Sequence, residues 1–81
     1  YTYMLKSISP GYKKTYVGYT TNLKLRLNKH NDNKGAKSTK GYKWIMIYSK
    51  KFKIKKEAMS FEYKLKNNRI LRKKILDDFI I

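Results

Sequence analysis

Three side chains in the first part of the chain have types and spacing suited to phosphodiester chemistry. Tyr16 stands in the segment Tyr16-Val17-Gly18, which has the pattern of a short strand ending at a turn, and Arg26 and His30 follow in a helical pattern. Residues four apart lie on one face of an α-helix, so the guanidinium and the imidazole share a face. A phenol, a guanidinium and an imidazole together suit holding and cleaving a phosphodiester. Each also has an ordinary alternative as a packing or solvated side chain.

The rest of the pattern supplies the elements that must position these residues. Aromatic and β-branched runs predict strands over 1–6, 15–18 and 43–50, and apolar residues at helical spacing predict helices over 23–30, 55–66 and about 68–77. Thr21 or Asn22 is the expected N-cap of the first helix, and Ser9-Pro10-Gly11 is a turn signal between the first two strands. The segment 31–41 has no periodicity and is expected to be a loop. We predict one α+β domain over 1–81, a three-stranded antiparallel sheet flanked by helices in the order β-β-α-β-α-α.

The charge of the chain points to a polyanionic partner. Lysine and arginine number 21 against 5 acids, which gives a formal net charge of +16. Such a field attracts nucleic acid first and an anionic membrane surface second. An AT-rich genome explains part of the lysine excess, but it does not explain why so few acids remain. A chain of 81 residues supports only a modest core, so the site is expected in a shallow groove.

Several classes of site are excluded by composition. The chain has no cysteine, which excludes disulfides, thiolate metal sites and cysteine nucleophiles. It has no apolar run near the ~20 residues of a membrane span and no signal-peptide pattern. We therefore expect a soluble intracellular protein, in the cytoplasm or associated with the nucleoid, with no membrane partner and no small-molecule cofactor.

Glu62 is the carboxylate best placed to bind a divalent cation. It lies four residues after Ala58, beside the apolar face of its helix, and its ordinary alternative is an ion pair with Lys66 at i+4. The five acids are too scattered for a two-metal site, whose ions stand about 3.5–4 Å apart. A single Mg²⁺ or Mn²⁺ fits better, since Mg²⁺ keeps most of its waters and takes further ligands from phosphate.

These residues fall in motifs that resemble the GIY-YIG nuclease superfamily. Tyr1-Thr2-Tyr3 and Tyr16-Val17-Gly18 are similar to its paired motifs, although the first reads YTY rather than GIY. The similarity covers nearly the whole chain and continues through Arg26, His30-Asn31, Lys34-Gly35-Ala36-Lys37 with Thr39, and Glu57-Ala58-Met59 leading to Glu62. The arrangement resembles compact single-domain bacterial members related to the Slx-type structure-specific nuclease subunit.

The resemblance implies a role for each matching residue. Tyr3 and Tyr16 would be the motif tyrosines, with Tyr16 the one that contacts or activates the attacking water. Arg26 would clamp the scissile phosphate, and His30 would carry a proton or contact the phosphate. Glu62 would hold the single metal ion. The fold of the superfamily, a three-stranded antiparallel sheet with flanking helices, agrees with the pattern above.

The predicted function is a metal-dependent DNA endonuclease that prefers branched, flapped or distorted DNA. Positive charge supplies affinity for the phosphate backbone without reading sequence, and Lys34, Lys37 and Lys40, with the last helix, are the expected contacts. The alternative is a non-catalytic nucleic-acid-binding module in which aromatic side chains stack on unpaired bases. The candidates for stacking are Tyr12, Tyr19, Tyr42 and Trp44, and the ordinary alternative for each is packing, particularly for Trp44 in a strand. Nothing in the sequence identifies a protein partner.

Overall fold

The computed structural model describes residues 1–8 and 14–79. Its strands are β1 (Thr2–Ser7), β2 (Thr15–Tyr19) and β3 (Trp44–Lys50), and its helices are α1 (Leu23–Asn31), α2 (Lys55–Lys66) and α3 (Arg69–Asp78). The predicted order β-β-α-β-α-α and the α+β class are confirmed, with boundaries that agree to within one residue. The predicted turn Ser9-Pro10-Gly11, and Tyr12 beside it, lie outside the described residues.

The sheet has β1 at its centre. The strand order is β2-β1-β3, and both pairs are antiparallel. Tyr3 pairs with Gly18, and Leu5 pairs with Tyr16. Because alternate side chains of a strand point to opposite faces, Tyr3 and Leu5 share one face of the central strand. This register brings the two tyrosine motifs side by side.

Both faces of β1 are buried, which explains why its sequence is apolar and aromatic on both sides. On one face Tyr3, Leu5 and Trp44 form a cluster against which α1 packs with Leu23 and Leu27. On the other face a second cluster is formed by β-strand and helix residues, with Met4, Val17 and Leu65 at its centre and Phe61, Leu71 and Ile75 around them. The sheet therefore lies between α1 on one side and α2 with α3 on the other.

Side-chain caps begin two of the helices. Asn22 rather than Thr21 is the N-cap of α1, and its side chain accepts a hydrogen bond from the Leu25 amide at 3.0 Å. Asn68 is the N-cap of α3 instead of its first residue, accepting from the Leu71 amide at 3.0 Å. Both satisfy amides that the first turn of a helix leaves unpaired.

The segment 31–41 is more ordered than its sequence pattern predicts. It contains a 3-10 turn over Lys37–Thr39. The Thr39 hydroxyl donates to the Ala36 carbonyl oxygen at 2.8 Å, and the Thr39 amide donates to the same oxygen at 3.0 Å. A periodicity argument misses a single turn of this kind because it is too short to repeat.

Candidate active site

The Tyr3 hydroxyl is the centre of the candidate site. It lies 2.8 Å from His30 Nε2, and it accepts a hydrogen bond from Arg26 Nε at 3.2 Å. Tyr3 and His30 are both 0% exposed, whereas Arg26 is half-buried. The central strand and the first helix thus bring together residues 23 and 27 positions apart in sequence.

The hydrogen bonds of this cluster have a defined direction. The single hydroxyl proton of Thr39 is donated to Ala36, so the Thr39 oxygen accepts from His30 Nδ1–H at 2.9 Å. A neutral imidazole protonated at Nδ1 has an acceptor at Nε2, which accepts a hydrogen bond from the Tyr3 hydroxyl. The Tyr3 oxygen in turn accepts from Arg26. The tautomer follows from the hydrogen-bond partners.

The electrostatics of the cluster agree with a neutral imidazole. Burial lowers the pKa of His30 below its ordinary value, and the nearby charge of Arg26 lowers it further. Burial raises the pKa of Tyr3, partly opposed by the hydrogen bond from Arg26. The same hydrogen bond raises the pKa of Arg26. The cluster at neutral pH is therefore one buried phenol and one neutral imidazole beside a charged guanidinium.

Tyr16 is the phenol of the cluster that retains partial exposure. Its ring centroid lies 4.8 Å from that of His30 and 6.3 Å from that of Tyr3. A hydrogen bond from the Arg26 guanidinium to the Tyr16 hydroxyl oxygen is the smallest of the effects that raise the pKa of Arg26. Tyr16 therefore lies at the edge of the buried cluster, against the rings of His30 and Tyr3 and partly open to solvent.

Two glycines of the motifs are required by close approach. A Cβ at Gly18 would stand 2.5 Å from the Tyr3 hydroxyl oxygen, and one at Gly35 would stand 2.5 Å from His30 Nδ1. Real Cβ atoms do not come so close to other heavy atoms. The backbone at these two positions forms the walls around the Tyr3 and His30 rings.

Glu62 occupies a different part of the fold. It belongs to α2, which packs on the opposite face of the sheet from α1, and its side chain is 15% exposed. Its carboxylate lies 3.5 Å from Lys66 Nζ, the i+4 pair given above as the ordinary alternative. Its link to the cluster is electrostatic, since it contributes to the raised pKa of Tyr3.

The donor set around Glu62 fits only one kind of metal site. Within residues 1–8 and 14–79 there is no group of three or more histidine, cysteine, aspartate or glutamate side chains that could hold an ion. One partly exposed carboxylate fits an ion that keeps most of its waters and takes other ligands from phosphate, as Mg²⁺ does. A site closed by protein ligands does not fit.

The lysines predicted to contact DNA lie at the surface of an anchored loop. Lys34, Lys37 and Lys40 are all exposed. The loop is tied to β3 through Asn31, which donates to the Trp44 carbonyl at 3.1 Å and accepts from its amide at 2.7 Å.

The stacking role considered for Trp44 is wrong. Its side chain is 2% exposed, and its indole N–H donates to the Thr39 carbonyl at 3.1 Å. It is a core residue that supports the 3-10 turn. Tyr19 and Tyr42 are half-buried, and Tyr12 lies outside the described residues.

Sequence reasoning assigned no role to Thr39, Gly18 or Gly35, although all three stood in the matching motifs. Their position in the motifs that also contain Tyr3 and His30 is the sequence feature that could have identified them.

The surface beside Arg26 is a shallow depression of about 220 Å³, as expected for so small a domain. It is lined by Tyr19, Thr20, Thr21, Asn22, Leu25, Arg26 and Lys29. Among the described residues, no helix is long and apolar enough to cross a membrane.

Curated relatives of the chain carry only a family designation. A UPF0213 protein of Staphylococcus haemolyticus is 46% identical over 52 residues, covering 63% of this chain and 63% of that protein. The UPF0213 protein YazA of Bacillus subtilis is 45% identical over 60 residues, covering 73% and 59%. One from Streptococcus pneumoniae serotype 4 is 41% identical over 70 residues, covering 85% and 68%. The chain thus spans about three fifths of the length of the first two. No solved structure matches it.

The family assignment comes from the domain as a whole. Residues 1–74 match the GIY-YIG catalytic domain. The matched region contains both tyrosine motifs, α1 with Arg26 and His30, and α2 with Glu62. The chain therefore belongs to the GIY-YIG family.

Proposed function

We propose that this chain is a metal-dependent endonuclease that hydrolyses phosphodiester bonds of DNA. Membership of a family described as a catalytic domain supports a nuclease. The observation that carries the proposal is the buried hydrogen-bond chain from Thr39 through His30 and Tyr3, which fixes Arg26 at the edge of a surface depression. Such a chain holds a guanidinium in one geometry, which is what transition-state stabilisation requires.

Arg26 is the residue to which we assign contact with the scissile phosphate. Its Nε–H is committed to Tyr3, so the terminal nitrogens of the planar fork are the groups that would grip phosphate oxygens. Positive charge held there stabilises the negative charge that develops on the phosphate during cleavage.

Tyr16 is the group that we assign to the attacking water. It is the only phenol of the cluster with partial exposure, and it lies against the ring of His30. Tyr3 and His30, both fully buried, act in this proposal as positioning residues that orient Arg26 and Tyr16. The proton-carrier role considered for His30 requires that its proton pass through Tyr3 or Tyr16.

Glu62 is the proposed ligand of a single Mg²⁺ or Mn²⁺. Among the described residues its ion-pair partner is Lys66, whose half-exposed side chain would turn out to solvent when a cation binds the carboxylate. Bound there, the ion would supply further positive charge to the phosphate.

The preferred substrate in this proposal is branched, flapped or otherwise distorted DNA, as the similarity to the Slx-type subunit implies. The shallow depression beside Arg26 suits a strand that is already exposed. The exposed Lys34, Lys37 and Lys40 would contact its backbone. Acting on DNA, the protein would work in the cytoplasm or at the nucleoid.

The test compares Glu62→Gln with Glu57→Gln, a matched change on the exposed side of the same helix. Labelled single-stranded, duplex, flap, four-way-junction and RNA substrates are incubated with Mg²⁺ or Mn²⁺. We expect the wild type and Glu57→Gln to cut, with flap and junction preferred. Glu62→Gln should bind the same substrates without cutting them. Cleavage by Glu62→Gln at the wild-type rate, or equal loss of binding and cleavage, contradicts the assignment.

A further inference from the structure

A second basic surface adjoins the candidate site along the outer edge of the sheet. β2 is an edge strand, and two shallow depressions of about 270 and 350 Å³ meet beside it. They share Thr15 and Arg72, and we call the combined surface the β2–α3 groove. It is lined by Thr15, Tyr16, Val17, Lys66, Arg69, Arg72, Lys73 and Leu76. Four of these residues are cationic and none is acidic.

Arg72 is held in place at the bottom of this groove. Its Nη1 donates to the Leu65 carbonyl at 2.8 Å and to the Lys66 carbonyl. These carbonyls end α2, where the helix dipole places partial negative charge that would repel a phosphate. The guanidinium covers them, and among the described residues its Nε and Nη2 have no hydrogen-bond partner. The groove therefore presents oriented N–H donors instead of carbonyl oxygens.

The groove also connects the two halves of the candidate active site. Tyr16, from the buried cluster, lines one end. Lys66 lines the same end, and its ammonium lies 3.5 Å from the carboxylate of Glu62. A DNA backbone bound in the groove would thus run out of the candidate active site between the Tyr16 phenol and the Glu62 carboxylate. Of the three arginines in the sequence, one is in the cluster and the other two, Arg69 and Arg72, line this path.

We propose that the β2–α3 groove binds the phosphodiester backbone of the DNA segment that flanks the bond to be cut. The position of the cut bond rests on the proposed nuclease function, but binding in the groove does not require cleavage. Arginine forks match the geometry of phosphate oxygens, and a groove bounded by cations follows a backbone without reading bases.

The test removes two exposed cations of the groove and leaves Arg72 in place on the carbonyls that end α2. The groove variant is Arg69→Gln/Lys73→Gln, and the control is Lys24→Gln/Lys53→Gln, two lysines outside the last helix. Both remove two charges from exposed positions, and neither control residue lines the groove. Affinity for a fluorescent flap duplex is measured by anisotropy in EDTA over a range of KCl concentrations. Each phosphate contact contributes about 0.9 to the slope of log K against log salt, so the groove variant should lose about 1.8. The control should keep the wild-type slope.

The outcomes separate this proposal from the proposed nuclease function. Equal slopes for the groove variant and its control overturn the groove, whether or not the wild type cuts DNA. A reduced slope in a protein that never cuts supports the groove while the nuclease proposal fails. The same variants are also tested on vesicles rich in anionic phospholipid. A groove-specific loss on vesicles with no loss on DNA assigns the surface to a membrane and overturns the proposal.

Discussion

Replacing Thr39 by valine removes one hydroxyl from the buried chain and keeps the shape of the side chain. The Ala36 carbonyl still accepts from the backbone amide of residue 39, at 3.0 Å in the wild type. His30 Nδ1–H, in contrast, loses its acceptor inside a fully buried site. The substitution therefore isolates the single interaction that sets the tautomer of His30.

The cost can be worked out from the two ways in which the cluster can respond. If His30 keeps its tautomer, Nδ1–H is left unpaired. If the proton moves to Nε2, then Nε2–H and Arg26 both donate to the Tyr3 oxygen, and the Tyr3 proton is left unpaired. Either way one buried donor has no acceptor, which costs about 1–3 kcal/mol of unfolding free energy. Only the second response also changes how Arg26 is held.

Urea unfolding and nitrogen-15 NMR of His30, the only histidine, measure these two effects. We expect Nδ1 to be protonated and Nε2 to be an acceptor in the wild type. The control Thr39→Ser keeps the hydroxyl and this tautomer, and it loses about 0.8 kcal/mol for one methyl group. Wild-type His30 protonated at Nε2 would refute the reasoning, as would a Thr39→Val protein within about 0.5 kcal/mol of the wild type.

Three further predictions concern the same cluster. Gly18→Ala should lower the free energy of unfolding, measured in urea, by about 1–3 kcal/mol, because the new Cβ would meet the Tyr3 hydroxyl. The control is Gly41→Ala, where a Cβ has open space but φ is +84°, and it should cost about 1 kcal/mol. Equal losses for the two variants would contradict the clash at Gly18. Unfolded His30 gains a proton near its ordinary pKa of 6.5, whereas burial and then Arg26 lower the folded pKa. The contribution of His30 to the free energy of unfolding should thus be constant above the unfolded pKa of about 6.5 and should fall as the pH drops towards the folded pKa, by at most about 1.4 kcal/mol per pH unit. His30→Gln should abolish this slope. Arg26→Lys keeps the charge but loses the fork, so cleavage should fall about 10²–10³-fold with DNA binding retained; unchanged cleavage would remove Arg26 from the chemistry.

The local features of the fold were predictable because they depend on neighbours in sequence. Aromatic and β-branched runs identified the three strands, and apolar residues at helical spacing identified the three α-helices. The N-cap of α1 was expected at residue 21 or 22, and the structure shows that it is Asn22. The i+4 spacing of Arg26 and His30 predicted that they share a helix face, and in the fold both contact the Tyr3 hydroxyl. The matching motifs named Tyr3, which spacing alone did not single out.

Long-range packing decided the rest of the candidate site. Strand pairing buried Tyr3 on the central strand, and the 3-10 turn brought Thr39 next to His30. Because the Thr39 hydroxyl donates to Ala36, it fixes the donor and acceptor in each hydrogen bond of the buried cluster. No local pattern reports these contacts, because each joins elements separated by a loop.

The sequence gives the total charge of the protein, but the positions of the charged side chains on its surface are known only from the fold. The sequence determined that this is a strongly basic chain that belongs to the GIY-YIG family. Only the tertiary structure placed Glu62 on the far face from α1 and set Arg69 and Arg72 beside the edge strand. The physical reason is that burial and surface position depend on which elements pack together, and that is a property of the whole chain.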